Sequence, residues 1–227
     1  MSIDSLRRDL SMMEELNLLK RTHGGAIPMP MSRQSPRSNQ ERYGKANTQQ
    51  QQIAKEAVAR IEPEQTVFIG GASIHYALLQ YLPVDFAYTV VTNSVEIAYH
   101  LRDYTHVTTY LIGGEVKSSG NMTDSLALEN SRRFSVDLCF ASAGGISAKG
   151  LSTATPEVAV FHEHIYAASA KVIALVEHHK FDTTMFSSIC PLARIHEVIT
   201  DSDTLDDHLA PMKNAGVSIS IADTEAG

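Results

Sequence analysis

With 227 residues, 43% hydrophobic and 20% charged, the chain has the length for one large α/β domain plus a small appendage, and the composition of a soluble globular protein. No uninterrupted apolar run approaches a membrane span, and Arg7, Arg8 and Asp9 argue against a signal peptide at the start, so a cytoplasmic location with no membrane partner is expected. The net charge of −7 is uneven, +3 over residues 1–45 and −10 over the remainder, which suits one polyanion contact near the N-terminus and argues against a nucleic-acid surface elsewhere.

The first stretch, Ser2 to Ala26, reads as a helix and a hairpin. Ser2 can cap the helix, Asp4 suits its positive end, and Leu6, Leu10 and Met13 form one apolar stripe. Asn17 can end the helix, Leu18–Thr22 is β-prone, and Gly24-Gly25 supplies the positive φ of a tight turn. Ser5, Arg7, Arg8, Lys20, Arg21 and His23 place polar and basic groups on the exposed helix face and around that turn. Such a pair is what a major-groove reader with a flanking wing needs; the plainer account is an amphipathic helix and hairpin with solvated charges.

The wording of the stretch is more specific than its spacing. Ser2, Ser5-Leu6-Arg7-Arg8-Asp9-Leu10, Glu14-Glu15 and the string LKRTHGGA at 19–26 resemble the end of the N-terminal DNA-binding module of the DeoR family of bacterial transcriptional regulators, which read close to S..TIRRDL..LE..GLLKRTHGGA. In that family the string is the recognition helix and wing, with further helices ahead of it. The resemblance therefore implies a partial winged helix-turn-helix over 1–27. Ser2, Ser5, Arg7, Arg8, Lys20, Arg21, His23, Gly24 and Gly25 would be its DNA-contacting residues, and operator binding by the chain as written is expected to be weak.

Ile27 to Asn47 carries three prolines and no apolar period and reads as a linker, 28–47 in the domain division. Gln49–Gln52 opens a helix with Ile53, Ala57, Val58 and Ile61 on one face, ended by Pro63. Strands are expected at Thr66–Ile69, Tyr88–Thr92, Val107–Ile112, Leu138–Ser142, Val172–Val176, Glu197–Thr200 and Val217–Ile221. Helices are expected at Ile74–Leu82, Val95–Leu101, Ser125–Phe134 and Pro156 to about Ala170, with Asp201–Asp207 a solvated loop before a short helix. Nearly unbroken apolar strands alternating with helices mean a mostly parallel sheet covered on both faces, an α/β domain over 48–227. Cys139 and Cys190 read as reduced core thiols.

Ligands of open parallel sheets bind beyond the carboxyl ends of the strands. The residues there are Gly70-Gly71-Ala72-Ser73, Thr92-Asn93-Ser94, Gly113-Gly114-Glu115, Gly144-Gly145 and His178-His179-Lys180. Small residues let backbone N–H groups approach an anion and helix N-termini add positive charge, with Lys180 as the one fixed cation. Glycines also end strands for steric reasons alone. The effector-binding candidates are thus Gly70, Gly71, Ala72, Ser73, Thr92, Asn93, Gly113, Gly114, Glu115, Gly144, Gly145 and Lys180.

These turns too resemble the DeoR family, in its C-terminal effector domain of the ribose-5-phosphate isomerase fold group: VVTNS at 90–94, LIGGEV at 111–116, GIS at 145–147, GLST at 150–153 and Lys180-Phe181. The resemblance implies a homo-oligomeric repressor of a carbohydrate or related operon, with operator DNA and a small phosphorylated metabolite as partners and no cofactor. The family's "D.GTT" loop is Gly70-Gly71-Ala72-Ser73-Ile74 here, its "ADGI" is Ala143-Gly144-Gly145-Ile146, and its Asp-Ser-Ser is Glu177-His178-His179. Losing two acids that accept from sugar hydroxyls is expected to change or weaken polyol recognition. His162, His164, His178 and His179 lack acidic or cysteine partners at zinc spacing, so no metal is expected, and Ser73 and Ser94 lack the His–Asp arrangement of a nucleophile. Two further readings stay open: a sugar-phosphate isomerase-like enzyme, and a truncated metabolite-binding protein without DNA binding.

Overall fold

A computed structural model of the chain describes Leu10 and residues 19–22, 25–28 and 46–222. Most of the expected recognition helix, with Ser2, Ser5, Arg7 and Arg8, lies outside the described residues, as do His23, Gly24 and the stretch 29–45; Leu10 is helical and half-buried. The hairpin is present: β1 (Leu19–Thr22) pairs antiparallel with β2 (Gly25–Pro28), with Thr22 opposite Gly25. Gly25 is therefore the first residue of β2 and not part of the turn, and Ile27 and Pro28, read as linker, complete that strand.

The main body is built on seven parallel strands: β3 (Thr66–Ile69), β4 (Tyr88–Thr92), β5 (Val107–Leu111), β6 (Val136–Ala141), β9 (Ser169–Leu175), β11 (Glu197–Asp201) and β12 (Ser218–Ala222). Their spatial order is β12-β11-β9-β6-β3-β4-β5. The chain enters at β3, adds β4 and β5 on one side, then returns to add β6 and the rest on the other. The connections leaving β3 and β6 thus diverge, which opens a crevice between their carboxyl ends.

Alternation along each strand sorts side chains into two cores. Val67, Ile69, Leu138, Phe140, Ile173 and Leu175 face one layer, built on α1 (Thr48–Val58), α2 (Ser73–Leu78) and α3 (Val95–Leu101). Phe68, Cys139, Ala141, Val172 and Ala174 face the other, with α4 (Ser125–Ser131), α5 (Pro156–Ala168) and α6 (Asp206–Asn214). Burial on both faces is why these strands carry little polarity. The α1 helix starts at Asn47, whose Oδ1 accepts the Gln50 N–H at 2.7 Å. At its other end Arg60 donates to Glu197 at 2.8 Å and to Ser220 at 3.1 Å, fixing it over β11 and β12.

Several expectations change. The helix expected over Ile74–Leu82 stops at Leu78 and that over Ser125–Phe134 at Ser131, while Ser169 and Ala170 belong to β9 and not to α5. A three-stranded antiparallel sheet, β7 (Gly145–Ser147), β8 (Gly150–Thr153) and β10 (Ser187–Cys190), covers the second core in the order β10-β8-β7. Asp201 is no solvated loop residue: it ends β11 fully buried, because the residues after it fold back onto its carboxylate.

Gly150 turns β7 into β8 at φ +106°, and a Cβ there would overlap the Cys190 carbonyl of β10. A Gly150→Ala substitution is therefore expected to cost about 2 kcal/mol or more, from left-handed strain and the broken β8–β10 contact. Urea unfolding with a lowered midpoint and unchanged slope would show it.

Candidate functional site

The loop after β3 lies at the crevice. His75, in the first turn of α2 and 1% exposed, accepts the Ala72 N–H through Nδ1 at 3.3 Å. A side chain on Gly70 would meet the His75 ring at 3.1 Å, so the imidazole occupies the room such a side chain would take. Burial, helped by the charges of His162 and Lys180 and opposed by the Phe140 and Gly70 carbonyls, lowers His75 from 6.5 to about 3. It is a neutral ring at pH 7, and its Nε2 has no hydrogen-bond partner among the described residues. Gly71 gives its carbonyl to Asn121 Nδ2 at 3.3 Å, and a Cβ there would overlap the Asn121 amide.

The turn after β9 carries the charge. Glu177, 4% exposed, accepts from Asn47 Nδ2 at 3.2 Å and meets Lys180 Nζ at 3.3 Å. Burial pushes its carboxyl up, but Lys180, Asn47, His179 and Gln50 outweigh that and hold it below the ordinary carboxylate value. Gln50 also donates to Ser73 Oγ at 3.2 Å, tying α1 to the β3 loop. Asp201, at the end of neighbouring β11, accepts the His178 N–H at 2.8 Å, its Nδ1 at 2.7 Å and the Asp203 N–H at 3.2 Å. His178, Asp201 and Asp203 are close enough together to hold a cation, so acidic partners do accompany His178, brought from across the sheet. Their polar atoms already bind one another and Gln49, an arrangement that positions the turn.

Other sequence candidates fall into three groups. Gly70, Gly71, Ala72 and Ser73 follow β3, and the Lys180 turn after β9 is linked to them through Glu177 and Gln50, with Thr92 and Asn93 one strand over. Thr92 Oγ1 accepts the Ser94 N–H at 3.1 Å, Asn93 Nδ2 donates to the Met122 carbonyl at 3.0 Å, and Ser94 caps α3. Gly113, Gly114 and Glu115 follow the edge strand β5 instead. A Cβ on Gly114 would overlap Asp124, and Glu115 pairs with Lys117 at 2.8 Å. Lys117 also reaches Glu157 at 3.6 Å, and Glu157 accepts from Thr123 at 2.7 Å. Lys180 is thus not the one cation at this edge. Gly145 is buried in β7, where a Cβ would overlap the Thr183 carbonyl, and Met185 covers Gly144. Gly71, Gly114 and Gly145 are small to admit the chain's own atoms. Asn47, Gln50, His75, Lys117 and Asn121 escaped sequence reading; only Asn47, a capping residue type before a helical run, carried a local signal.

A groove of ≈270 Å³ lined by Leu128, Arg132, Val160, Glu163, His164 and Ala167 lies on α4 and α5, away from the strand ends where the paired charges and glycine turns converge.

The sequence profile of the DeoR C-terminal sensor domain matches residues 45–202. The chain belongs to the DeoR family. It is 27% identical to the HTH-type transcriptional regulator GolR of Listeria innocua over 98% of this chain and 88% of that protein. The HTH-type transcriptional repressor GlcR of Bacillus subtilis is 31% identical over 88% of this chain and 77% of its own length. For the lactose phosphotransferase system repressor of Staphylococcus epidermidis the identity is 29%, over 89% and 81%. Among solved structures, ribose 5-phosphate isomerase A of Methanocaldococcus jannaschii overlays with a TM-score of 0.43 at 14% identity, covering 63% of this chain and 55% of that one. Among the described residues no helix is long and apolar enough to cross a membrane.

Since the folded pKa of His75 lies below its unfolded value, the unfolded chain takes up this proton first as pH falls. Stability held by the neutral ring is complete above pH 6.5 and lost as pH drops toward about 3. Urea unfolding of His75→Gln against the parent chain between pH 6 and 4 is expected to show a shallower pH dependence, by about 1.4 kcal/mol per pH unit.

Proposed function

We propose that this DeoR-family member is a transcriptional repressor of a sugar-related operon. Its α/β body binds a small anionic, phosphorylated metabolite at the carboxyl edge of the sheet, and its basic N-terminal segment contacts operator DNA. The observation that carries the ligand half is Lys180, which the buried turn after β9 holds close enough to the β3 loop for its charge to act on His75, with its side chain 17% exposed. The relatives' names, the transcriptional repressor GlcR and a lactose phosphotransferase system repressor among them, support the regulatory half.

The contacts of Gly70 and Gly144 bear on specificity. At both positions, where DeoR sequences carry acids, another side chain of this protein fills the space: neutral His75 over Gly70 and Met185 over Gly144, at 3.0 Å from a Cβ placed there. Fewer carboxylate acceptors face sugar hydroxyls, which favours an effector held more by its phosphate than by its polyol chain. An enzyme of this shape needs a free acid–base pair. Glu177 and Glu157 at this edge are engaged by lysine and by hydrogen-bond donors, which favours a sensor over an isomerase.

Calorimetric titration with a panel of sugar phosphates and their unphosphorylated parents tests the reading. Saturable binding is expected for a phosphorylated compound and not for its parent, and Lys180→Met is expected to weaken it about tenfold or more. Binding of the parent sugar with equal affinity would refute it. For the DNA half, Arg7→Ala and Arg8→Ala are each expected to weaken duplex binding and lower its log–log salt slope by about 1.

A further inference from the structure

Lys180 is not a bare cation waiting for an anion. Its Nζ lies 3.3 Å from Glu177 Oε2, and both side chains are largely buried, at 17% and 5% exposure. An anion arriving at Nζ meets a charge already neutralised, in surroundings where an unpaired charge is costly. The same Glu177 binds Asn47 through its other oxygen.

Asn47 is doubly committed. Its Nδ2 donates to Glu177, while its Oδ1 accepts the Gln50 N–H at 2.7 Å and its carbonyl accepts the Gln51 N–H at 3.0 Å. A planar amide cannot follow a moving carboxylate with Nδ2 and keep Oδ1 on the helix. Gln50 ties the same first turn to Ser73 in the β3 loop.

We propose that Glu177 is a built-in counter-anion that an anionic effector must displace from Lys180, and that the displacement uncaps the first turn of α1 through Asn47. The inference rests on the reading of Lys180 as the anion site and adds how that site is regulated. Exchange of one carboxylate for a phosphate at Nζ selects for ligands of higher charge, since a neutral sugar offers nothing in return for the broken ion pair. The signal starts where the α/β body continues from the segment carrying the hairpin, so occupancy of the site bears directly on that junction.

The test uses the full chain with inorganic phosphate and glucose 6-phosphate as probes, reading affinity by calorimetry and amide hydrogen exchange at Gln50 and Gln51. In the parent chain, saturation with probe is expected to speed exchange at these two amides about threefold or more. Glu177→Gln keeps an acceptor for Asn47 but frees Lys180; its affinity for probe is expected to rise about tenfold and its exchange to stop responding. Asn47→Ser keeps a cap but takes away the amide Nδ2 that reaches Glu177, its hydroxyl being a shorter group, and is expected to abolish the exchange response. Equal probe affinity in the parent and Glu177→Gln, or an unresponsive first turn at saturation of the parent, overturns the inference while leaving the anion site standing. Binding by neither the parent nor Glu177→Gln overturns both.

Discussion

Two carboxylates buried side by side at the ends of β9 and β11 set the terms for everything at this edge. Glu177 is 4% exposed and Asp201 fully buried, and a buried carboxylate stripped of its partners costs roughly 3–5 kcal/mol. Each therefore gathers donors from whatever the chain can bring. Asp201 takes the backbone and ring N–H of His178 together with the Asp203 amide. Glu177 takes Asn47 from the start of α1 and Lys180 from the turn it begins. Between them they pin His178–Lys180 from both sides, so Lys180 is a positioned charge and not an ordinary surface lysine. The start of α1 is fixed by the same demand, and through Gln50 so is the loop after β3.

The large sheet was legible because its constraints are local and repetitive. A strand buried on both faces has to be apolar along its length, and Val67–Ile69, Val90-Val91, Leu138–Phe140 and Val172–Leu175 declare themselves that way. The small sheet was not legible. Its strands are three or four residues of Gly, Ser, Thr and Cys with one aliphatic each, and their pairing is decided by contacts such as Ser188 with Ser152, far apart in sequence. Asp201 misled for a related reason: in an acidic run it looks solvated, and only the fold brings the His178 turn, 23 residues away, onto its oxygens.

The site divides along the same line. Connectivity alone puts every loop that follows a strand at one edge, so Gly70–Ser73 and Lys180 could be named as neighbours without coordinates. What those residues do there could not be read. Gly71 looked like room for a phosphate and is room for Asn121, 50 residues away; Gly145 makes room for the Thr183 carbonyl. The carboxylate paired with Lys180 was three residues from it, and the amide that ties Glu177 to α1 was 130 residues away. Sequence spacing offers the first pair and hides the second.

The balance of charge bears on the anion site proposed at Lys180, where the cation is already paired. Residues 46–227 carry a net −10, so at long range the body repels an incoming anion, although salt screens that field beyond about 8 Å. An exposed, unpaired lysine at the edge would attract anions of every kind from solution and discriminate little among them. Lys180 under Glu177 gives up long-range attraction, and a ligand gains from it only by replacing a carboxylate that is already well placed. Affinity then depends on how much better a ligand fits Nζ than Glu177 does, a comparison made inside the crevice at short range. The lost steering can slow association, but selectivity rises, because carboxylates no better than Glu177 and neutral sugars are turned away by the same ion pair. Glu177 is also bonded to Asn47, so on the proposed displacement, discrimination between ligands and a response at α1 would be one event and not two.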